Sequence, residues 1–175
     1  MLVKKIMDRN ESCLIYTEYE DSIERLQFQL SRYAKWAGVK KIMVLSGKQK
    51  EEERVLIENE LGPRDVVIVS QAARQSRNLQ AANHVIMYNI PFSIGTVTQL
   101  IGRVCRMDSK YDSQWIHIIE SENTIDTYKK KLFQDNVYLI NQLFGNMGTL
   151  PTDIFRVDRN NLTALKRQLL WNKRK

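Results

Sequence analysis

Cysteine is scarce in this 175-residue chain: Cys13 and Cys105 are the whole complement, neither has a partner at metal-ligand spacing, and both are expected to remain reduced thiols. No run of about 18 apolar residues occurs, so a helical membrane span is not expected. The opening "MLVKKIMDRNESC" also lacks the apolar stretch of a secretory signal. These absences predict an intracellular protein. Equally missing are a Gly-x-x-x-x-Gly-Lys-Ser/Thr loop and an Asp-Glu box; "SGKQKE" has neither the spacing nor the hydroxyl of the former. The usual cradle for a nucleoside triphosphate and its metal is therefore not in these residues. Histidine is limited to His84 and His117, which fall in apolar strand patterns without acidic or cysteine neighbours, so no metal site is expected. Internal repeats and low-complexity segments are absent too.

The residues present describe an ordinary soluble domain with a sizeable core, 43% hydrophobic and 27% charged. The formal charge of +7 favours polyanionic partners. Most of the excess lies in residues 151–175, where Arg156, Arg159, Lys166, Arg167, Lys173, Arg174 and Lys175 face only Asp153 and Asp158. Five short apolar runs, "CLIYT" (13–17), "KIMVLS" (41–46), "VVIVS" (66–70), "HVIMYN" (84–89) and "QWIHII" (114–119), read as buried parallel strands. Helical patterns separate them. Residues 20–36 place Ile23, Leu26, Leu30, Tyr33 and Ala34 at helical spacing, 49–61 end at a Gly-Pro stop, and a long helix is expected at about 124–143. The alternation predicts an α/β fold with right-handed crossovers. After it, "FGNMGTLPTD" is a hinge that divides a main domain, 1–147, from a tail, 148–175. Within the tail, 160–172 form an amphipathic helix with Leu162, Leu165, Leu169 and Leu170 on one side. That helix suits docking onto this domain or a partner, or contact with DNA through its basic face. Trp36, Trp115 and Trp171 fit packing positions better than base-stacking platforms, with either role open to Trp171 in the basic tail.

One stretch is less ordinary. "QLIGRVCRMD" sets Arg103 and Arg106 three apart on a predicted helix, with Gln99 one turn earlier and Gly102 between. Two like charges at this spacing cost about 0.2–0.5 kcal/mol, so an anion is the natural counterpart. The alternative is a solvated face whose arginines pair with acids such as Asp108.

Together with the upstream "NLQAANHVIMYN", this stretch resembles motifs V and VI in the second RecA-like lobe of superfamily-two helicases, the Swi/Snf-like branch above all. "CLIYTEYEDSIERL" is similar to motif IV, "LSGKQKEEER" to the family's glycine followed by a helix bearing an arginine, here Gly47 and Arg54, and "ENTIDTYKKKLF" to the helix after motif VI. The tail falls outside the resemblance. The fold it implies is a RecA-like parallel sheet flanked by helices, here with a basic C-terminal helical tail.

The activity it implies is that of one lobe of a two-lobed, ATP-dependent DNA translocase or helicase. ATP and Mg²⁺ would be held mainly by an N-terminal RecA-like lobe carrying Walker A and B motifs, in the same polypeptide or in a separate subunit. In phosphoryl transfer an arginine reaching in from a second lobe contributes about 10³–10⁵ in rate. Guanidinium suits the task because its fixed, permanently charged fork meets phosphate oxygens bidentately. By the resemblance, Arg106 is the arginine finger, Arg103 a second phosphate contact, Gln99 a nucleotide or water ligand, Gly102 a point of close approach and Asn78 a nucleotide contact. Thr17, Ser46, Gly47, Lys48, Ser70 and Gln71 take the places of nucleic-acid backbone contacts, with double-stranded DNA as the favoured track and RNA as the alternative.

The motif V loop departs from the family. Where the branch has Ala-Gly-Gly-Val-Gly, this chain reads Ala72, Ala73, Arg74, Gln75, Ser76. Losing glycines that allow positive φ implies an altered loop, in which Arg74 and Arg77 stand either as replacement phosphate contacts or as exposed charges. The other reading of the chain follows from this departure: a catalytically inactive lobe that binds nucleic acid or a partner.

Overall fold

The computed structural model describes residues 1–71, 79–91, 93–104, 111, 113–121, 123–132 and 135. The chain forms two compact units, Met1–Pro91 with Gly95–Glu120, and Phe92–Ile94 with Ser121–Lys175. In the first, elements follow the order α1 (Leu2–Met7), β1 (Cys13–Thr17), α2 (Glu20–Ala37), β2 (Lys41–Leu45), α3 (Glu51–Glu60), β3 (Asp65–Ser70), β4 (His84–Met87), α4 (Ile94–Val104) and β5 (Trp115–Ile118). All five strands are parallel, in the spatial order β2-β3-β1-β4-β5. The expected α/β parallel sheet is thus present, with each predicted strand found within a residue or two of its apolar run.

Central position explains why β1 and β3 are apolar between their ends. Both are buried at every residue, because helices cover both faces of the sheet. On one face Cys13, Ile15, Val66, Ile68 and Ile86 pack against Ile23 and Leu30 of α2 and Val3, Ile6 and Met7 of α1. At six residues α1 is too short to announce itself by period, and the sequence reading passed over it. Burial pushes the Cys13 thiol up to about 12, so it stays protonated at neutral pH, as expected of a reduced structural cysteine. Cys105 lies outside the described residues.

Helix α2 stops where its apolar stripe ends. Gly38 adopts φ +76, and a Cβ there would sit 2.9 Å from the Arg64 guanidinium, whose Nε donates to the Gly38 carbonyl at 2.9 Å. The left-handed cap favours glycine, and a Cβ there would also have to displace the end of the Arg64 side chain. Three expected core aromatics are instead exposed: Tyr33 and Trp36 on α2, and Trp115 on β5. Tyr33 and Trp36 lie off the narrow Ile23–Leu30–Ala37 stripe, and Trp115 belongs to an edge strand. Lys4 Nζ sits 5.8 Å from the Trp36 ring centroid, and the Trp115 ring stacks on His84.

In the second unit a helical segment spans 125–132. Its start is organised by Thr124, whose hydroxyl donates to the Ser121 carbonyl at 2.7 Å and accepts from the Asp126 amide at 3.2 Å. Asp135 is helical as well; the other residues of the helix expected to 143, the hinge, the 147/148 boundary and the tail helix lie outside the described residues.

The histidines do have an acidic partner, which the sequence reading denied them. His84 Nε2 is 2.7 Å from Glu11 Oε2, and His84 Nδ1 is 2.9 Å from His117 Nε2. Seventy-three positions separate Glu11 from His84, so no local pattern announces the pair. With both rings neutral, one arrangement satisfies both contacts: His84 donates to Glu11 through Nε2 and accepts from His117 Nε2 through Nδ1. Among the described residues no cluster of three or more His, Cys, Asp or Glu could hold a metal ion.

Two outcomes are expected. Ile68, 0% exposed in the middle of the sheet, should cost about 2–5 kcal/mol when replaced by alanine, measured by urea unfolding. Burial first, and the neighbouring His84 second, hold the His117 imidazole below its ordinary value of 6.5. The folded chain therefore binds fewer protons at this site than the unfolded chain. The stabilisation is complete above the unfolded value and is lost as pH falls through the depressed folded one. Unfolding series from about pH 7 to about pH 5 should show His117→Gln flattening the decline seen in the unaltered chain; identical slopes would show that His117 does not carry it.

Candidate functional site

Open parallel sheets gather their functional groups where the strands end at their carboxyl termini. Here that edge is polar. Thr17 closes β1 and pairs in register with Ser70, which closes β3; Leu45 pairs with Val69, so Ser46 follows at the same level on β2. Asn89 lies two residues beyond β4 and accepts a hydrogen bond at its Oδ1 from Thr17 Oγ1 at 2.7 Å. Four strand ends thus present a row of hydroxyls and one carboxamide above an apolar sheet.

The loop after β2 is tightly held. Gln49 folds back so that its Oε1 accepts from the Ser46 amide at 2.6 Å while its Nε2 donates to the Val44 carbonyl. Ser46 Oγ accepts from the Lys48 amide at 3.3 Å, which leaves the hydroxyl proton for another acceptor. From α3, the Arg54 guanidinium donates to the Ser46 and Gly47 carbonyls at 3.2 and 3.4 Å. Occupied carbonyls turn inward, while Gly47 and the Lys48 side chain are exposed. This arrangement can offer an amide, a hydroxyl and an ammonium to an anion. Gln49 was missed by the sequence reading, because a glutamine that binds its own strand end leaves no spacing signal.

The remaining predicted residues divide into three groups. Thr17 is fully buried; it spends its proton on Asn89 and accepts from the Tyr19 amide at 3.3 Å, so it organises the edge from beneath. Ser70 is 1% exposed, its Oγ has no hydrogen-bond partner among the described residues, and Gln71 beside it is exposed. Gln99 is exposed on α4, and Gly102 and Arg103 follow at the next positions of the same helical side, opposite the buried Val97, Leu100 and Val104. The structure thus brings Thr17, Ser46, Gly47, Lys48, Ser70 and Gln71 to one sheet edge and sets Gln99, Gly102 and Arg103 on one side of α4. Asn78, Arg74, Arg77 and Arg106 lie outside the described residues.

The chain as a whole is similar to known proteins. A model of the helicase conserved C-terminal domain matches residues 1–108. An uncharacterized ATP-dependent helicase, YqhH of Bacillus subtilis (strain 168), is 26% identical over 153 residues, which are 87% of this chain and 26% of that protein. The chain therefore spans about a quarter of the length of this relative. Among solved structures, the crystal structure of the C-terminal part of the Fun30 ATPase domain superposes with a TM-score of 0.65 at 24% identity, covering 75% of this chain and 42% of that one. This last likeness shows a shared fold, the RecA-like sheet flanked by helices.

The Gln49 bridge yields an expectation. Gln49→Ala should lose about 1–3 kcal/mol of stability through two broken side-chain hydrogen bonds, and should speed hydrogen exchange at the Ser46 amide. Unchanged exchange at Ser46 would show that the loop holds its shape without the bridge.

Proposed function

The chain belongs to the helicase conserved C-terminal domain family, and from that premise we propose that it is the second motor lobe of an ATP-dependent DNA translocase or helicase of the Swi/Snf-like branch. The observation that carries this reading is α4. Val97, Leu100 and Val104 are buried and Gln99 is exposed, and helical spacing puts positions 102 and 103 on the Gln99 side, in a helix that follows in the chain from the polar edge of the sheet. Such a face is free to meet a nucleotide held by another lobe. Arg106 is the finger that stabilises charge spreading over the γ-phosphate oxygens, Arg103 a second contact, Gln99 a ligand of nucleotide or water, and Asn78 a further nucleotide contact.

The other half of the site is an N-terminal RecA-like lobe whose Walker motifs hold ATP and Mg²⁺. YqhH, called an ATP-dependent helicase and nearly four times as long as its matching segment, is consistent with such a division. Nucleic acid lies along the carboxyl edge of the sheet, where Ser46, Gly47, Lys48, Ser70 and Gln71 contact the backbone of double-stranded DNA without reading sequence. Arg74 and Arg77 add phosphate contacts in the altered motif V loop. No helix among the described residues is long and apolar enough to cross a membrane.

The test joins this chain to its P-loop lobe and measures DNA-stimulated ATP turnover. Arg106→Ala should reduce turnover by about 10²-fold or more with little change in ATP affinity, because the finger acts on the transition state more than on the bound nucleotide. Normal turnover would remove Arg106 from the role. A joined protein that binds DNA without hydrolysing ATP would instead favour the binding-module reading.

A further inference from the structure

Asn89 closes the motif stretch "NLQAANHVIMYN" with no role of its own there, yet it ends the polar row on the sheet edge. We propose that its carboxamide is a further contact to the phosphodiester backbone, aimed by Thr17; the proposal rests on the nucleic-acid reading of this edge. A carboxamide has an accepting end and a donating end, and which of them faces outward depends on the partner of the other. Thr17 decides this. Its oxygen accepts from the Tyr19 amide at 3.3 Å, and of the two acceptors within reach of its one proton, Asn89 Oδ1 at 2.7 Å is far nearer than the Tyr19 carbonyl at 3.5 Å. Because Thr17 is buried at the end of a central strand, this acceptor end is tied to the rigid part of the sheet. The two Nδ2 hydrogens of Asn89 are turned away from it, and Asn89 Nδ2 makes no hydrogen bond among the described residues.

The neighbours specify the ligand class. In register beside Thr17 stands Ser70, whose buried Oγ has no partner among the described residues. One strand further, the Ser46 hydroxyl has an uncommitted proton and Lys48 an exposed ammonium. Asn89 Nδ2, the Ser70 and Ser46 hydroxyls and the Lys48 ammonium can all donate, and they are spread over adjacent strand ends about 4.8 Å apart. Such a row matches an extended polyanion better than a compact ligand that needs both donors and acceptors. Base edges present both, whereas phosphate oxygens only accept.

Isosteric replacement separates contact from scaffolding. In Asn89→Asp the carboxylate still accepts from Thr17, so a purely structural role survives, while both donors are lost and a negative charge faces the ligand. Anisotropy titrations of this chain with a labelled DNA duplex should show affinity falling by about tenfold or more in Asn89→Asp at an unchanged urea midpoint. Asn89→Ala should weaken binding while leaving the salt dependence unchanged, since a neutral donor releases no counterion; Lys48→Ala should lower that slope by about one. Native affinity in Asn89→Asp, alongside a loss in Lys48→Ala, would overturn the role of Asn89 and leave the edge as a DNA surface. No affinity in the unaltered chain would overturn both.

Discussion

Everything in the described structure hangs on the burial of β1 between β3 and β4. A strand enclosed on both faces and both edges must satisfy each amide and carbonyl through its neighbours, so its register against them is not adjustable by even one residue. That constraint aligns Cys13 with Val66 and His84 at one end and Thr17 with Ser70 at the other. Apolar side chains fill the space between. The polar groups are thereby expelled to the two ends of the strands, where chemistry can occur.

The two ends are built differently. At the carboxyl edge the side chains bind downward, Thr17 to Asn89 and Gln49 to the end of β2, and present donors outward. At the amino edge Glu11, His84 and His117 bind one another along the sheet, and the stacked rings of His84, His117 and Trp115 cover the edge. The carboxyl edge keeps donors in reserve, whereas at the amino edge the oxygens left over, Asp65 Oδ1 and Asn83 Oδ1, are buried acceptors without a partner among the described residues.

The placement of α4 follows the same logic. Val97, Leu100 and Val104 spend one face of the helix on the core, and the opposite face carries Gln99 and the positions of Gly102 and Arg103. Rigid attachment matters for an arginine acting across an interface, because a guanidinium that must be ordered anew at each turnover would forfeit much of the electrostatic benefit. A short segment, Tyr88 to Ser93, connects the sheet edge to this helix, so the proposed nucleic-acid surface and the proposed nucleotide face are neighbours in the chain.

Strand locations, the parallel α/β class, the family and the helical spacing of Gln99, Gly102, Arg103 and Arg106 were all determined by the sequence alone. Each is a local matter: a buried strand writes an apolar run, and a helix face repeats with its own period. Tertiary structure decided the order β2-β3-β1-β4-β5, the docking of the short helix α1, the exposure of Tyr33, Trp36 and Trp115, and the pairing of Glu11 with His84 and of Thr17 with Asn89. These facts concern residues far apart in the chain. Hydrogen bonds between side chains that meet only once the sheet has assembled leave no period to read. The sequence therefore names Thr17 as a candidate contact, and the folded sheet makes it the anchor for Asn89.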